Sequence, residues 1–171
     1  MCACPKVPSS PALAGGFEIA QGRLGPGRVH HCMRAIGAAE RTLELMIKRA
    51  TSREAFGRPL AKLGGNTDII ANARMAIEQA RLLTLKCAWA LDTKGIEGAL
   101  QEVSMIKAVV PQMLQSIVDD AIQIHGGAGV SDDDFPLTAL FGYARVLRLA
   151  DGPDEVHRAM VARLELRKYQ V

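Results

Sequence analysis

The chain has 171 residues, enough for one domain that buries its own apolar core without disulfides or metal ions. Hydrophobic residues make up 49% and aromatic residues only 4%, which favours helices over sheets, and a net charge of +3 gives no footprint for nucleic acid. The four cysteines form neither a disulfide framework nor a metal site, and no apolar run reaches the ~20 residues that span a bilayer.

Five helices are predicted, and they follow a tail that we expect to be disordered over residues 1–15. The tail resembles neither a secretory signal nor a transit peptide. The first helix should begin near Arg28, because Gly25–Gly27 with its central proline is a strong breaker, and it should end near Ala50. Residues 52–63 contain Gly57 and Pro59 and are predicted to form a loop. The other helices are predicted over residues 67–92, 98–124, 136–149 and 154–168.

Short links between these helices indicate an all-α, up-and-down helical bundle without strands. Apolar residues at three- and four-residue steps define the sides of the helices that should face the core. In the first helix these residues are Val29, Cys32, Met33, Ile36, Leu43, Met46, Ile47 and Ala50. In the second they are Ile70, Ala73, Ile77, Ala80, Leu83, Cys87 and Leu91, and in the third Val103, Ile106, Val110, Leu114, Ile117, Val118 and Ile122.

Three segments join a loop to the end of a predicted helix and contain residues that could bind a ligand. They are residues 53–59 (REAFGRP), 123–129 (QIHGGAG) and 151–158 (DGPDEVHR). Each has an ordinary structural explanation when it is considered alone: a cation at a helix C-terminus, a glycine C-cap and an acidic N-cap, respectively. The four histidines lack partners at ligand spacing, so no metal site is predicted.

The order and spacing of the three segments resemble the acyl-CoA dehydrogenase family, in its C-terminal domain. The motif R-x-x-F-G begins at Arg53, QI-x-GG-x-G begins at Gln123, and an acidic residue followed by glycine stands at Asp151. The resemblance covers residues 16–169, and the form RLADGPDEVHRA over residues 148–159 is most similar to members ten and eleven of that family.

The resemblance implies an oxidoreductase that converts acyl-CoA to trans-2-enoyl-CoA in fatty acid β-oxidation, with FAD as hydride acceptor. Asp151 takes the place of the catalytic carboxylate, which is normally Glu, and its backbone N–H helps to polarise the thioester carbonyl. The implied cofactor-binding positions are Arg53, Phe56, Gln123, Gly126, Gly127, Pro153, Asp154 and Glu155, and the substrate-binding positions are Arg28, Gly152 and Arg163. Arg53, Phe56, Gln123, Gly126 and Gly127 would reach FAD across a subunit interface.

We expect the Asp151 carboxylate to be sheltered from bulk water and to lie near the glycine turn and the Arg53–Phe56 loop. Two positions depart from the family pattern. Pro153 stands where the family usually has a threonine that contacts the flavin, and residues 62–66 stand where an aromatic–glutamine pair is usual.

The chain also lacks the family's N-terminal helical domain and middle β-domain, so we expect a fragment or a short isoform. Alone it should bind FAD weakly and have little or no activity. Two alternatives remain open: a non-catalytic oligomerisation bundle, and a flavoenzyme like acyl-CoA oxidase or nitroalkane oxidase. The expected partners are acyl-CoA, electron-transfer flavoprotein and further copies of the chain in a dimer or tetramer. The expected location is the mitochondrion, with the peroxisome as the alternative.

Overall fold

The computed structural model describes residues 16–169, and the predicted tail at residues 1–15 lies outside the described residues. The described part is an all-α bundle, which confirms the predicted fold class, but it contains six helices rather than five. The additional helix is a four-residue turn that directly follows the glycine at position 126. The helices are α1 (Gly16–Ser52), α2 (Asn66–Gly98), α3 (Leu100–His125), α4 (Gly127–Val130), α5 (Leu137–Leu147) and α6 (Asp154–Leu166), and short 3-10 turns cover Leu60–Lys62 and Arg167–Tyr169.

Helix α1 begins at Gly16 and continues through Pro26, so the predicted break at residues 25–27 is wrong. Gly25 is buried, and a side chain added to it would contact Ile96 of α2. Packing of this turn against α2 therefore supports the helix across a sequence that would break an isolated one. In contrast, the predicted end of α2 near Gly95 is reflected in the backbone, because Gly95 has a φ of 70° inside the assigned helix.

A small hairpin occupies part of the segment that was predicted to be a loop without strands. Strand β1 (Glu54–Ala55) pairs in antiparallel fashion with β2 (Arg58–Pro59). The two residues between the strands, Phe56 and Gly57, have φ values of 51° and 76°. Two successive positive φ values are the signature of a tight hairpin turn, and they leave Phe56 95% exposed at its tip.

Helix α3 lies at the centre of the bundle and contacts α1, α2, α5 and α6. Its predicted core residues Val103, Ile106, Val110, Leu114, Ile117 and Val118 are all buried, whereas Ile122 is half-buried. Helices α1 to α3 alternate in direction, and α5 runs back along α3 toward Lys107, whose ammonium bonds the carbonyl of Leu147. Helix α6 then continues in the direction of α5, since Gln112 bonds Asp154 at its start and Gln101 bonds Glu165 near its end.

Within residues 16–169, every helix is either too short or too polar to cross a bilayer.

Candidate functional site

The turn between α5 and α6, residues 148–153, carries Asp151 on an unusual backbone. Asp151 has a φ of 56° and Gly152 a φ of 104°, both in the left-handed region. The turn begins where the Lys107 ammonium, itself buried, donates to the Leu147 carbonyl at 2.5 Å. Burial lowers the pKa of Lys107 from its ordinary value. A buried cation of α3 therefore holds the start of the turn through this hydrogen bond.

Two side chains hold the carbonyl of Asp151, and a third faces its carboxylate. Arg28 of α1 donates to the carbonyl through Nε at 3.1 Å, and His157 Nε2 lies 3.2 Å from the same oxygen. His31 Nε2 lies 3.2 Å from Oδ2 of the carboxylate, whose side chain is 23% exposed. The carboxylate is therefore sheltered from bulk water and still open on one side, as a proton acceptor in a binding cleft requires.

Desolvation affects the two groups that hold the carbonyl. Burial lowers the pKa of His157 and also that of Arg28, and the negative charge of Asp151 partly opposes the change at Arg28. A neutral His157 can donate one N–H to the Asp151 carbonyl, whereas Arg28 remains charged at any physiological pH. The peptide that carries Asp151 is thus held from both α1 and α6.

Asp154, one of the predicted cofactor contacts, lies at the start of α6. Its carboxylate is buried, and Oδ2 accepts hydrogen bonds from Arg148 Nε at 2.7 Å and Gln112 Nε2 at 2.9 Å. Burial alone would raise the pKa of Asp154, but these hydrogen bonds keep it below its ordinary value. Its side chain therefore attaches α6 to α3 and α5. Of its predicted companions, Glu155 is exposed and Pro153 half-buried.

A second group of predicted residues comes together at the other end of the bundle. Arg53, Gln123, Gly126 and Gly127 line one cavity of about 460 Å³. The glycine turn can form because Gly126 ends α3 with a φ of 66°, which favours glycine. A side chain on the nearby Gly129 would meet the Ile122 carbonyl at 2.8 Å, so the turn also requires close backbone packing.

The lining of this cavity suits a nucleotide with phosphate groups. Arg49 joins Arg53 there, and its Nε is buried without a partner among the described residues. Two guanidinium groups provide bidentate donors for phosphate oxygens, and Gln123 adds an exposed amide. Apolar residues complete the wall, as nucleotide rings require. They are Leu60, Ile69 and Ile124.

The Asp151 turn and the glycine-turn cavity are not close together within one chain, contrary to expectation. Lys107 lies beside the Asp151 turn, and His125 lines the cavity. These two residues are eighteen positions apart in α3, which corresponds to about 27 Å along the helix. Each chain therefore carries two separate sets of candidate residues, one at each end of α3.

The two arginines predicted to bind substrate lie in different places. Arg28 is half-buried and is committed through Nε to the Asp151 carbonyl. Arg163 is exposed on α6, where its Nη2 contacts Met160 Sδ at 3.2 Å. It lies nine positions after Asp154, about 14 Å farther along the helix, so it is separated from the Asp151 turn.

The residues at these sites that were not identified from the sequence include His31, Lys107, Arg49 and His157. His31 stands three positions after Arg28 on α1, so the two share a helix face, and that spacing could have revealed His31. Arg49 lies in the last turn of α1, four positions before Arg53. Lys107 lies in a run of apolar residues, and nothing in the local sequence indicates its role.

Known proteins match this chain over most of its length. The family model described as "Acyl-CoA dehydrogenase, C-terminal domain" matches residues 14–166. The chain belongs to this family. It is 56% identical over 164 residues to acyl-CoA dehydrogenase family member 11 of Gallus gallus, and 54% identical over 165 residues to family member 10 of Mus musculus. The predicted resemblance to members ten and eleven is thereby confirmed.

A solved acyl-CoA dehydrogenase also has this fold. Butyryl-CoA dehydrogenase from Megasphaera elsdenii superimposes with a TM-score of 0.81 at 28% identity, over 89% of this chain and 39% of that one. The two relatives above are matched over 94% and 95% of this chain, which spans only 21% and 15% of their respective lengths. The chain thus corresponds to one part of longer acyl-CoA dehydrogenases.

Proposed function

We propose that residues 16–171 are the base-bearing, flavin-contacting C-terminal domain of an acyl-CoA dehydrogenase that forms trans-2-enoyl-CoA in fatty acid β-oxidation. The observation that carries the proposal is the Asp151 carboxylate, which is mostly buried and stands on a backbone held from two helices. Bound FAD would supply the acceptor for the substrate's β-hydride. The chain's own residues would provide the base, fix its position and bind both ligands.

Asp151 removes the α-proton of the acyl-CoA in this proposal. Arg28 and His157 contact its carbonyl, which restrains the peptide plane between Asp151 and Gly152. None of the hydrogen bonds within residues 16–169 uses the Asp151 N–H, which is therefore available to polarise the thioester carbonyl. Gly152 follows directly and stays a proposed substrate contact through its backbone, because His157 occupies the space that a side chain there would need.

The residues proposed to contact FAD divide into the two sets at the two ends of α3. Arg53, Gln123, Gly126 and Gly127 line the cavity that suits the pyrophosphate and adenosine. Phe56, at the exposed hairpin tip, is available to a flavin bound by another copy. On the Asp151 side, the proposed flavin contacts are the half-buried Pro153, Asp154, whose Oδ2 is paired with Arg148, and the exposed Glu155.

The two sets lie about 27 Å apart along α3, which supports the proposal that they serve different active sites in the enzyme. One chain provides the base beside one flavin and the cavity for the flavin of a second copy. A complete site then needs at least two copies, which accords with a homodimer or homotetramer. Arg163 and Arg28 stay proposed CoA-side positions, although Arg28 acts through the Asp151 carbonyl as well.

An exposed apolar stripe on α2 supports self-association. Met75, Leu82, Leu85 and Trp89 recur at helical spacing, and each is at least half exposed. Large apolar side chains that follow one helix face in this way commonly mark a protein contact. The same surface supports a second candidate function, a bundle that only oligomerises.

Two further properties are proposed from membership of the family alone. The electron acceptor is electron-transfer flavoprotein, and the location is the mitochondrion, or else the peroxisome.

Replacement of Asp151 by Asn tests the proposal, and the protein used is the complete acyl-CoA dehydrogenase with FAD bound. Exchange of acyl-CoA α-protons with D₂O should fall by roughly 10²–10⁴-fold, because the amide cannot accept the proton, while flavin absorbance stays unchanged. Asp92→Asn, at an exposed position of α2, is the matched control and should exchange normally. Unchanged exchange in Asp151→Asn would place the base elsewhere. If no flavin binds and a stable oligomer forms, the oligomerisation bundle is favoured.

A further inference from the structure

His31 of α1 faces the carboxylate of Asp151. Its Nε2 lies 3.2 Å from Oδ2, and the two side chains are 33% and 23% exposed. His31 stands three positions after Arg28, so both lie on one face of α1. Consecutive turns of one helix therefore contact the two polar ends of the same residue: Arg28 contacts the carbonyl and His31 the carboxylate.

The carbonyl contacts fix the backbone of Asp151 but do not fix its carboxylate. Arg28 and His157 bind the carbonyl oxygen and leave the side-chain torsions free. Within residues 16–169, His31 is the one basic side chain that the structure places within ion-pair distance of a carboxylate oxygen of Asp151. An aspartate needs such a constraint because a displacement of ~1 Å at the reacting atom can cost about 100-fold in rate.

The surroundings of His31 determine which nitrogen carries its proton. Nδ1 is buried and has no hydrogen-bond partner among the described residues. A buried N–H without an acceptor is destabilising, so a proton on Nε2 is favoured over one on Nδ1. That proton faces Oδ2. The structure shows a close approach of Nε2 and Oδ2 rather than a formed hydrogen bond, and contacts of this kind commonly tighten when substrate binds.

We infer that His31 is a positioning residue for Asp151: its imidazole donates Nε2–H to Oδ2 and leaves Oδ1 directed at the substrate. The inference rests on the proposed function for the identity of Asp151 as the base. During the reaction the α-proton moves from the substrate carbon to Oδ1, and His31 keeps its own proton. A histidine of α1 thereby restrains a carboxylate that is carried by the turn between α5 and α6.

The first test uses the 171-residue chain and does not depend on activity. Nitrogen-15 NMR of the imidazoles should show the Nε2–H tautomer at His31 and a change of its Nε2–H signal in Asp151→Asn. The signal should not change in the control Asp92→Asn. A proton on Nδ1, or the same His31 signal in all three proteins, would overturn the inference.

The second test compares two substitutions in the flavin-loaded enzyme. The probe is α-proton exchange in butyryl-, octanoyl- and palmitoyl-CoA, and the fastest of the three is used for all variants. His31→Leu removes the donor and should lower the exchange kcat by about 100-fold with little change in KM. His31→Gln keeps an N–H donor near the position of Nε2 and should recover most of this loss.

His30→Leu is the matched control, because His30 is the exposed neighbour on the same helix, and it should exchange normally. Thermal midpoints of all variants identify any that fail to fold. If His31→Leu fails to fold, the exchange rate of His31→Gln and the NMR result test the inference instead. Parent-like exchange in His31→Leu would refute the role of His31 alone. Parent-like exchange in Asp151→Asn would instead refute the proposed function.

Discussion

Replacement of Gly152 by Ala should destabilise the turn that presents Asp151. Gly152 has a φ of 104°, which side chains with a Cβ rarely adopt. A Cβ added there would lie 2.9 Å from His157 Nε2 and 3.5 Å from Cε1. The His157 ring cannot easily move away, because it is buried and its Nε2 contacts the Asp151 carbonyl at 3.2 Å.

The size of the effect follows from two contributions. The left-handed backbone costs about 1–3 kcal/mol for a residue other than glycine. Movement of His157 breaks its hydrogen bond to Asp151, which adds about 0.5–1.5 kcal/mol. The free energy of unfolding should therefore fall by about 1.5–4.5 kcal/mol. For a domain of this size that change lowers the Tm by roughly 3–18 °C.

Urea titration followed by far-ultraviolet circular dichroism measures this change. Gly37→Ala is the matched control, because Gly37 is an exposed helical position of α1 with open space where its Cβ would lie. That substitution should stabilise the chain by about 0.5–1 kcal/mol. If the free energy of unfolding of Gly152→Ala lies within about 0.5 kcal/mol of that of the parent chain, the argument from strain and from the His157 contact is refuted.

Two further predictions concern buried titratable groups. Acidification from about pH 7.5 to 5.5 should lower the free energy of unfolding, because burial lowers the pKa of His125 and of His157 in the folded chain. Their contribution is fully present well above about pH 6.5, where the unfolded imidazoles are neutral, and it is lost as the pH falls from there through the folded pKa values. Urea titrations at three pH values check this, and a flat profile would contradict it. Burial raises the pKa of Cys32 to about 12 and that of Cys87 to about 11, so iodoacetamide should modify neither at neutral pH until the chain unfolds. Peptide mass analysis with and without urea measures the modification, and native labelling of Cys32 would contradict its burial.

The sequence predicted the central helix well because its apolar spacing and its burial have the same cause. Six of the seven predicted core residues of α3 are buried, and the seventh, Ile122, is half-buried. Predictions were poorer for α1, where Met33 and Ile47 are exposed although they are apolar. Spacing shows which residues could face a core, but the side on which neighbouring helices pack decides which of them do.

Departures from the predicted elements have tertiary causes. The proline at position 26 remains within α1 because that turn packs against α2. Phe56 and Gly57 form a hairpin turn, although phenylalanine rarely adopts a positive φ. In both cases the local sequence favoured one conformation, and contacts or pairing with other residues stabilised another.

For the candidate site, motifs identified residues but could not give their distances. The glycine-turn motif and the Arg53 motif meet at one cavity, as their family order implied. Asp154 belonged to the third motif, yet its carboxylate is paired with Arg148 and Gln112. The Lys107 contact with the Leu147 carbonyl joins positions forty residues apart, and no local pattern records such a pair.

The sequence alone determined the helical class, the core side of α3 and the family, because apolar period and motif order are properties of the linear chain. Only the tertiary structure decided that Asp151 faces His31 and that its carbonyl is held by Arg28 and His157. It also decided that the glycine-turn cavity lies at the opposite end of α3. Relative position depends on how helices pack, and packing is set by many distant contacts together rather than by any one segment.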